Sequence, residues 1–210
     1  MFRKISAEKT LNVFGPLSTI LGELREGDWA GVIATDQIAY SYVLYTSLSS
    51  SELSYYVDIS SRFSPELINK EVFFAKAFSL SEILDATKEI NDGSLLVIGS
   101  FQALKKEVEE ILELKRITDE KGIHTLILVE EPLLNELNRL EESRRLLLIP
   151  EAFEQLFILR TSYYRGRYKF SLSVLRNYSD RLSTLGDHEV NVDEEIRRIL
   201  SPGKGQEQEK

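Results

Sequence analysis

Gly31-Val32-Ile33-Ala34-Thr35-Asp36-Gln37-Ile38-Ala39-Tyr40-Ser41 reads as an apolar strand that passes through a short loop into a helix. Such a junction is where α/β proteins hold phosphates. A phosphate cradle needs glycines so that backbone N–H groups approach the anion, a lysine for the outer phosphates, and a Ser or Thr hydroxyl for magnesium. Of that set only Ser41 is present: no glycine follows Gly31 in the loop, Tyr40 stands in the lysine's place, and Asp36 puts negative charge where a phosphate would lie. Two readings follow. Either Tyr40 and Ile38 are helix residues packed into a loop without a ligand, or an adenine nucleotide is held by Ser41 and backbone alone.

Outward from this stretch, strand and helix signals alternate. Leu17 to Leu24 has helical apolar spacing, and Trp29 to Ala34 is a run without alternation, as expected of a strand covered on both faces. A helix over Ile38 to Ser47 follows, then strands at Leu53 to Asp58, Val72 to Phe78, Leu95 to Ile98 and Ile123 to Val129. Between them, Ser64-Pro65-Glu66 has the cap, proline and early acid of a helix start, Ser81 to Ile90 is helical, and Leu104, Val108, Ile111 and Leu112 stripe a helix ending at Gly122. One more helix is expected over Pro132 to Arg145. Then Gln155 to Thr161 and Arg167 to Leu175 flank Ser162-Tyr163-Tyr164-Arg165-Gly166 as an antiparallel hairpin. This order predicts an α/β fold: a mainly parallel sheet sandwiched by helices, with a C-terminal antiparallel hairpin closing one edge. One domain is expected over residues 1–178, followed by an acidic tail over 179–210 with one short helix at Val192 to Leu200 and a disordered end from Ser201.

Composition narrows the chemistry. The 210 residues contain no cysteine and two histidines, His124 and His188, which excludes disulfides, thiolate metal sites and cysteine nucleophiles and leaves no His-rich metal site. The formal net charge of −8 argues against coating nucleic acid with the whole surface. No apolar run approaches the ~20 residues of a membrane span, and Met1 to Ser6 lacks a signal-peptide core, so the expected location is cytoplasmic with no membrane contact.

The ordered segments resemble the core domain of the RecA/RadA recombinases, a P-loop NTPase fold, and look like a degenerate archaeal paralog of RadA. Leu21-Gly22-Glu23-Leu24-Arg25-Glu26-Gly27 is similar to the segment leading into the phosphate-loop strand. Tyr56-Val57-Asp58 with Phe63-Ser64-Pro65-Glu66, and Val72-Phe73-Phe74-Ala75-Lys76-Ala77-Phe78, are similar to the two strand motifs that follow it. The resemblance spans residues 17–176 and leaves no room before it for the family's N-terminal helical DNA-binding domain. It also implies what is missing. Tyr40 replaces the Walker A lysine, Gly99 the Walker B aspartate, Ser60 the water-activating glutamate and Glu130 the γ-phosphate-sensing glutamine. Phosphoryl transfer relies on positive charge around the phosphates and an oriented water, so the resemblance implies no ATPase activity and no cofactor.

The hairpin is the remaining candidate site. Arg160, Arg165, Arg167, Lys169, Arg176 and Arg181 stand against one acid, Asp180, with Tyr163, Tyr164, Tyr168 and Phe170 interleaved. Cations with aromatics suit single-stranded nucleic acid, and Arg160, Tyr164, Arg165, Arg167, Lys169 and Arg176 are the expected contacts. The competing reading is that edge strands carry Lys and Arg to prevent edge pairing. The carboxylates Glu130 and Glu131 read as solvated, and no metal ligand set is visible. The function implied is a non-catalytic recombinase paralog, accessory to homologous recombination and DNA repair, that binds a recombinase or another paralog, with or without single-stranded DNA, as a homo- or hetero-oligomer. The alternative is a protein-interaction regulator like the related KaiC-like proteins, outside DNA repair.

Overall fold

Trp29–Ala34 is buried along its whole length, because strands lie on both sides of it and helices above and below. The computed structural model describes residues 9–60, 63–68 and 70–200. The first eight residues, Ser61, Arg62, Asn69 and the 201–210 end expected to be disordered lie outside them.

In chain order the strands are β1 (Thr10–Leu11), β2 (Leu24–Arg25), β3 (Trp29–Ala34), β4 (Ser54–Asp58), β5 (Val72–Lys76), β6 (Leu95–Ile98), β7 (His124–Glu130), β8 (Gln155–Tyr164), β9 (Arg167–Arg176) and β10 (Gly186–Asn191). The helices are α1 (Ser18–Leu21), α2 (Gln37–Ser50), α3 (Leu80–Thr87), α4 (Val108–Glu120), α5 (Arg139–Leu147) and α6 (Asp193–Leu200). The main sheet has eight strands in the order β10-β9-β8-β3-β7-β6-β4-β5. From β8 to β5 neighbours run parallel, whereas β8, β9 and β10 pair antiparallel. This is the expected α/β architecture.

Two apolar layers flank the sheet. One gathers α1, α2 and α6 with Phe157, Phe170 and Leu172; the other gathers α3, α4 and α5 with Trp29, Phe101 and Phe153. Helix α2 is apolar nearly all round, with Tyr40, Tyr42, Val43, Leu44, Tyr45 and Leu48 buried, as a helix between a sheet and a further helix must be. Helix α4 is amphipathic and begins with a reciprocal Glu107/Glu110 capping box. At the foot of β3, Glu154 accepts from Trp29 N at 2.7 Å and pairs with Lys115 at 2.8 Å, tying β3 to α4 and to the entry of β8.

Four expectations change. The helix expected over Pro132 to Arg145 begins only at Arg139, after a turn and the 3-10 turn Glu136–Asn138, because Asn135 and Asn138 leave helical backbone. The helix expected over Leu17 to Leu24 stops at Leu21, because Gly22 turns to φ 82° and Leu24 joins β2. The helix start at Ser64-Pro65-Glu66 becomes one 3-10 turn, Pro65–Leu67: Ser64 makes no side-chain cap, and Ile68 returns to extended backbone. Beyond residue 178 the chain does not leave as a tail. β10 pairs with β9 from Gly186↔Val174 to Asn191↔Lys169, and Val192 and Ile196 are fully buried in the α2 layer. The acids of this segment point outward while its few apolar residues seal the last strands.

Two stability predictions follow. Ile196→Ala is expected to cost about 2–4 kcal/mol in denaturant unfolding, as for a core cavity; a change below ~0.5 kcal/mol would place α6 outside the cooperative unit. Asp28 sits half-buried at the foot of β3, where burial and then Glu154 push its carboxyl up to about 6 from 3.8. The folded state then holds that proton more tightly than the unfolded chain, so its contribution is full below 3.8 and is lost as pH rises through about 6. Asp28→Asn is therefore expected to gain roughly 1–2 kcal/mol at neutral pH, after allowance for solvent screening, and nothing in strong acid.

Candidate functional site

The carboxyl ends of β3, β4, β6 and β7 face the N-terminus of α2, where open α/β sheets bind ligands. Here protein groups occupy the junction. Asp36 is the N-cap of α2 and accepts from Ala39 N at 2.9 Å. The same carboxylate accepts from Thr161 N and Thr161 Oγ1, both at 2.7 Å, which fastens the loop to β8. The helix N-terminus, whose free N–H groups would attract an external anion, thus carries its own.

Four residues further on, Tyr40 points into the sheet and is 2% exposed. Its hydroxyl accepts from Ser100 N at 3.0 Å and lies in hydrogen-bonding reach of Tyr56. Tyr56 Oη donates to Asp58 Oδ2 at 2.6 Å, and Ser60 donates to the same carboxylate through Oγ at 2.5 Å and N at 3.1 Å. Ser60 Oγ is also 3.3 Å from Ser100 Oγ. Burial, then the charge of Asp58, raises Tyr40 above the ordinary phenol value. Burial, then Tyr40 and Asp58, drives Tyr56 far above it. Both phenols are therefore neutral donors at physiological pH.

Gly99 is the space this network needs. A Cβ there would lie 2.5 Å from Tyr40 Oη and 2.8 Å from Tyr56 Oη. Ser100 next to it adopts φ 50°, ψ 35°, a left-handed conformation uncommon for serine, and its N–H binds the Tyr40 hydroxyl. Tyr40, Tyr56, Asp58, Ser60 and Ser100 form one hydrogen-bonded cluster packed on Gly99, and Glu130 ends β7 in register with Ala34. Ser41 is half-buried on α2, outside that cluster. Nearby Lys106 donates to the Phe101 and Leu104 carbonyls and stacks over Phe101, so its cation is already engaged. Among the described residues no group of three or more His, Asp or Glu side chains is placed to hold a metal ion.

The basic hairpin is longer and tighter than its sequence suggests. Pairing continues to Tyr164↔Arg167, leaving Arg165-Gly166 as a two-residue turn with φ of 50° and 78°. Cross-strand pairing puts Arg160 with Ser171, Ser162 with Lys169, and Tyr164 with Arg167 on one face. Arg176 pairs with Leu156 at the other end, ~30 Å along the strand from Arg167, so the six expected contacts do not form one patch. The charges are also partly compensated. Lys169 pairs with Glu189 at 3.0 Å, and Arg160 forms an ion pair with Glu136. These acids lie on β10 and before α5, which sequence reading did not bring to the hairpin. Arg165 stacks over Tyr164 at 5.0 Å and, like Arg167, makes no ion pair among the described residues.

His124 is 3% exposed inside β7, and burial lowers its pKa, so it is a neutral core residue remote from this junction. Glu131 is committed to Arg145 at 2.7 Å.

No protein-family model matches the chain, and no curated protein matches its sequence. Among solved structures it is similar to the flagellar accessory protein FlaH from Methanocaldococcus jannaschii, at 16% identity and a TM-score of 0.59, over 84% of this chain and 90% of that one. The likeness is one of fold: the chain has a RecA-like α/β core.

Because Gly99 and Tyr40 share one volume, Gly99→Ala is expected to cost about 1–3 kcal/mol in the native chain and clearly less in a Tyr40→Phe background. Tyr40→Phe alone should cost about 1–3 kcal/mol through the orphaned Ser100 N–H. Strict additivity of the two in denaturant titrations would refute the shared packing. Gly99→Asp, which places a carboxylate at the strand end, is expected to destabilise without creating magnesium-dependent nucleotide binding.

Proposed function

We propose that this chain is a non-catalytic RecA-like module that acts as an accessory or regulatory protein through its surfaces. The observation that carries this reading is the occupied junction: the Asp36 carboxylate at the α2 N-terminus and the Tyr40–Tyr56–Asp58 hydrogen-bonded cluster stand where phosphates and a magnesium ion would have to sit. A triphosphate brought there would meet a carboxylate and neutral phenols, with tyrosine rather than lysine at position 40 and Lys106 already engaged by the Phe101 and Leu104 carbonyls. Opening the cluster would also strand buried donors.

Within that class we favour a paralog of the recombinases, accessory to homologous recombination and DNA repair, that binds an active recombinase or another paralog. Its support is the ordered set of segments similar to that family. Contact with single-stranded DNA would run through Tyr164, Arg165 and Arg167, on the end of the hairpin whose charges are not fully compensated. A second reading, a KaiC-like interaction regulator outside DNA repair, is favoured by the structural likeness to an accessory protein of the flagellum.

Calorimetry with millimolar ATP and magnesium is expected to give no saturable heat; a dissociation constant below about 100 μM would overturn the non-catalytic reading. The two readings separate on DNA. If the recombination reading holds, single-stranded oligonucleotide binds at low salt, and Arg165→Ala with Arg167→Ala makes the log–log salt dependence shallower by roughly 1.4. Absence of binding, or affinity unchanged in that double variant, favours the regulator outside repair.

A further inference from the structure

Arg181 lies on the 3-10 segment Ser179–Thr184, between β9 and β10, and its side chain rests against Gly22 at the end of α1. A Cβ on Gly22 would lie 2.6 Å from Arg181 Nε and 3.0 Å from Cζ, and Gly22 holds φ 82°, so glycine is what leaves the guanidinium its seat. Packing thus fixes a half-buried cation whose side chain makes no hydrogen bond or ion pair among the described residues. Its N–H donors face a cleft of about 350 Å³ between α1 and β2 on one side and the segment after β9 on the other. That is the end of the sheet away from the junction at α2.

The same cleft holds an unanswered charge of the other sign. The Glu23 carboxylate accepts from Thr10 Oγ1 but has no cation partner among the described residues, and Arg181 is not within ion-pair distance of it. The remaining charges are closed on each other: Arg25 pairs with Asp180 at 3.0 Å and lies 4.0 Å over the Tyr178 ring. The neutral groups add acceptors. Ser18 Oγ donates to Gly15 O at 2.6 Å and Thr19 Oγ1 donates to Pro16 O at 3.0 Å, so each hydroxyl offers the cleft only oxygen lone pairs.

One planar fork of donors and three sets of acceptors therefore share one space. A simple oxyanion would satisfy Arg181 but meet the carboxylates of Glu23 and Asp180, and a simple cation would satisfy Glu23 but meet two guanidinium groups. A molecule that carries both signs satisfies every group, with its carboxylate bidentate on the guanidinium. We propose that this cleft binds a small zwitterion of the amino-acid type, carboxylate on Arg181 and ammonium toward Glu23, Ser18 and Thr19. The site is separate from the nucleotide junction and does not depend on how that junction is read. Because the cleft is walled by both ends of the chain, its occupant ties the segment after β9 to the core.

The test is calorimetry on the full chain with L-alanine and glycylglycine as probes, against acetate, inorganic phosphate and ethylammonium. Saturable binding of at least one zwitterion, with a dissociation constant below about 10 mM, is expected, and which of the two binds tells a free amino acid from a peptide. Arg181→Gln and Glu23→Gln are each expected to weaken it about tenfold or more. Lys105→Gln, which removes an exposed cation between β6 and α4, is expected to leave it unchanged. The zwitterion should also raise the unfolding midpoint of the native chain and not that of Glu23→Gln, whose side chain is exposed and whose folding does not rest on the Arg181 seat. The proposal fails if neither zwitterion saturates in that range, or if acetate, phosphate or ethylammonium binds as tightly as the better zwitterion. It also fails if Glu23→Gln binds as the native chain does, or if Lys105→Gln weakens binding as much.

Discussion

A buried hydroxyl must have partners, and the Tyr40 hydroxyl sets the terms for everything around it. Leaving it unpaired at 2% exposure would cost about 1–3 kcal/mol. Its partners are Ser100 N and Tyr56, and each makes a further demand. Ser100 N–H binds it from a left-handed backbone, Gly99 must lack a side chain, and Tyr56 must pass its own proton toward Asp58. Asp58 is 1% exposed and takes two more donors from Ser60. A carboxylate at position 99 could not fit in this arrangement, where even a Cβ would lie 2.5 Å from Tyr40 Oη. Tyr40, Tyr56, Asp58, Gly99 and Ser100 are thus one packing solution.

Asp36 completes that solution at the other side of the loop. A helix N-terminus needs acceptors for its free N–H groups, and in nucleotide-binding relatives of this fold a phosphate can provide them. Here the carboxylate does so permanently and fixes the loop to β8 through Thr161. The loop therefore needs no external anion to complete the start of α2.

How much of this could be read from the chain varies with the physics. β3, β6 and β7 were legible because buried parallel strands are unbroken apolar runs, whereas α4 was legible as a helix but not by its face: Ile111, Leu114 and Thr118 are buried, while Val108 and Leu112 of the expected stripe are exposed. β10 was not: Gly186-Asp187-His188-Glu189-Val190-Asn191 carries two acids and one large apolar residue, and only the pairing with β9 makes it a strand. The same blindness affected the hairpin, whose cations were visible while their partners, Glu136 and Glu189, lie at sequence separations no local pattern reports. At the junction, the residue types were legible but their joint geometry was not. The Asp36 cap had a signal, an aspartate three residues before Ala39 at a helix start, but its second role toward Thr161 depends on a strand more than a hundred residues away.

The cations of the hairpin are not equal. Lys169 and Arg160 already hold ion pairs, and a polyanion must displace Glu189 and Glu136 to use them, which returns little net energy at an exposed site. Arg165 and Arg167 hold no ion pair among the described residues, so an anion approaching the turn end of the hairpin meets cations that need not first be released. The same rule applies around the exposed leucines before α5, where Arg145 and Arg160 already neutralise Glu131, Glu142 and Glu136.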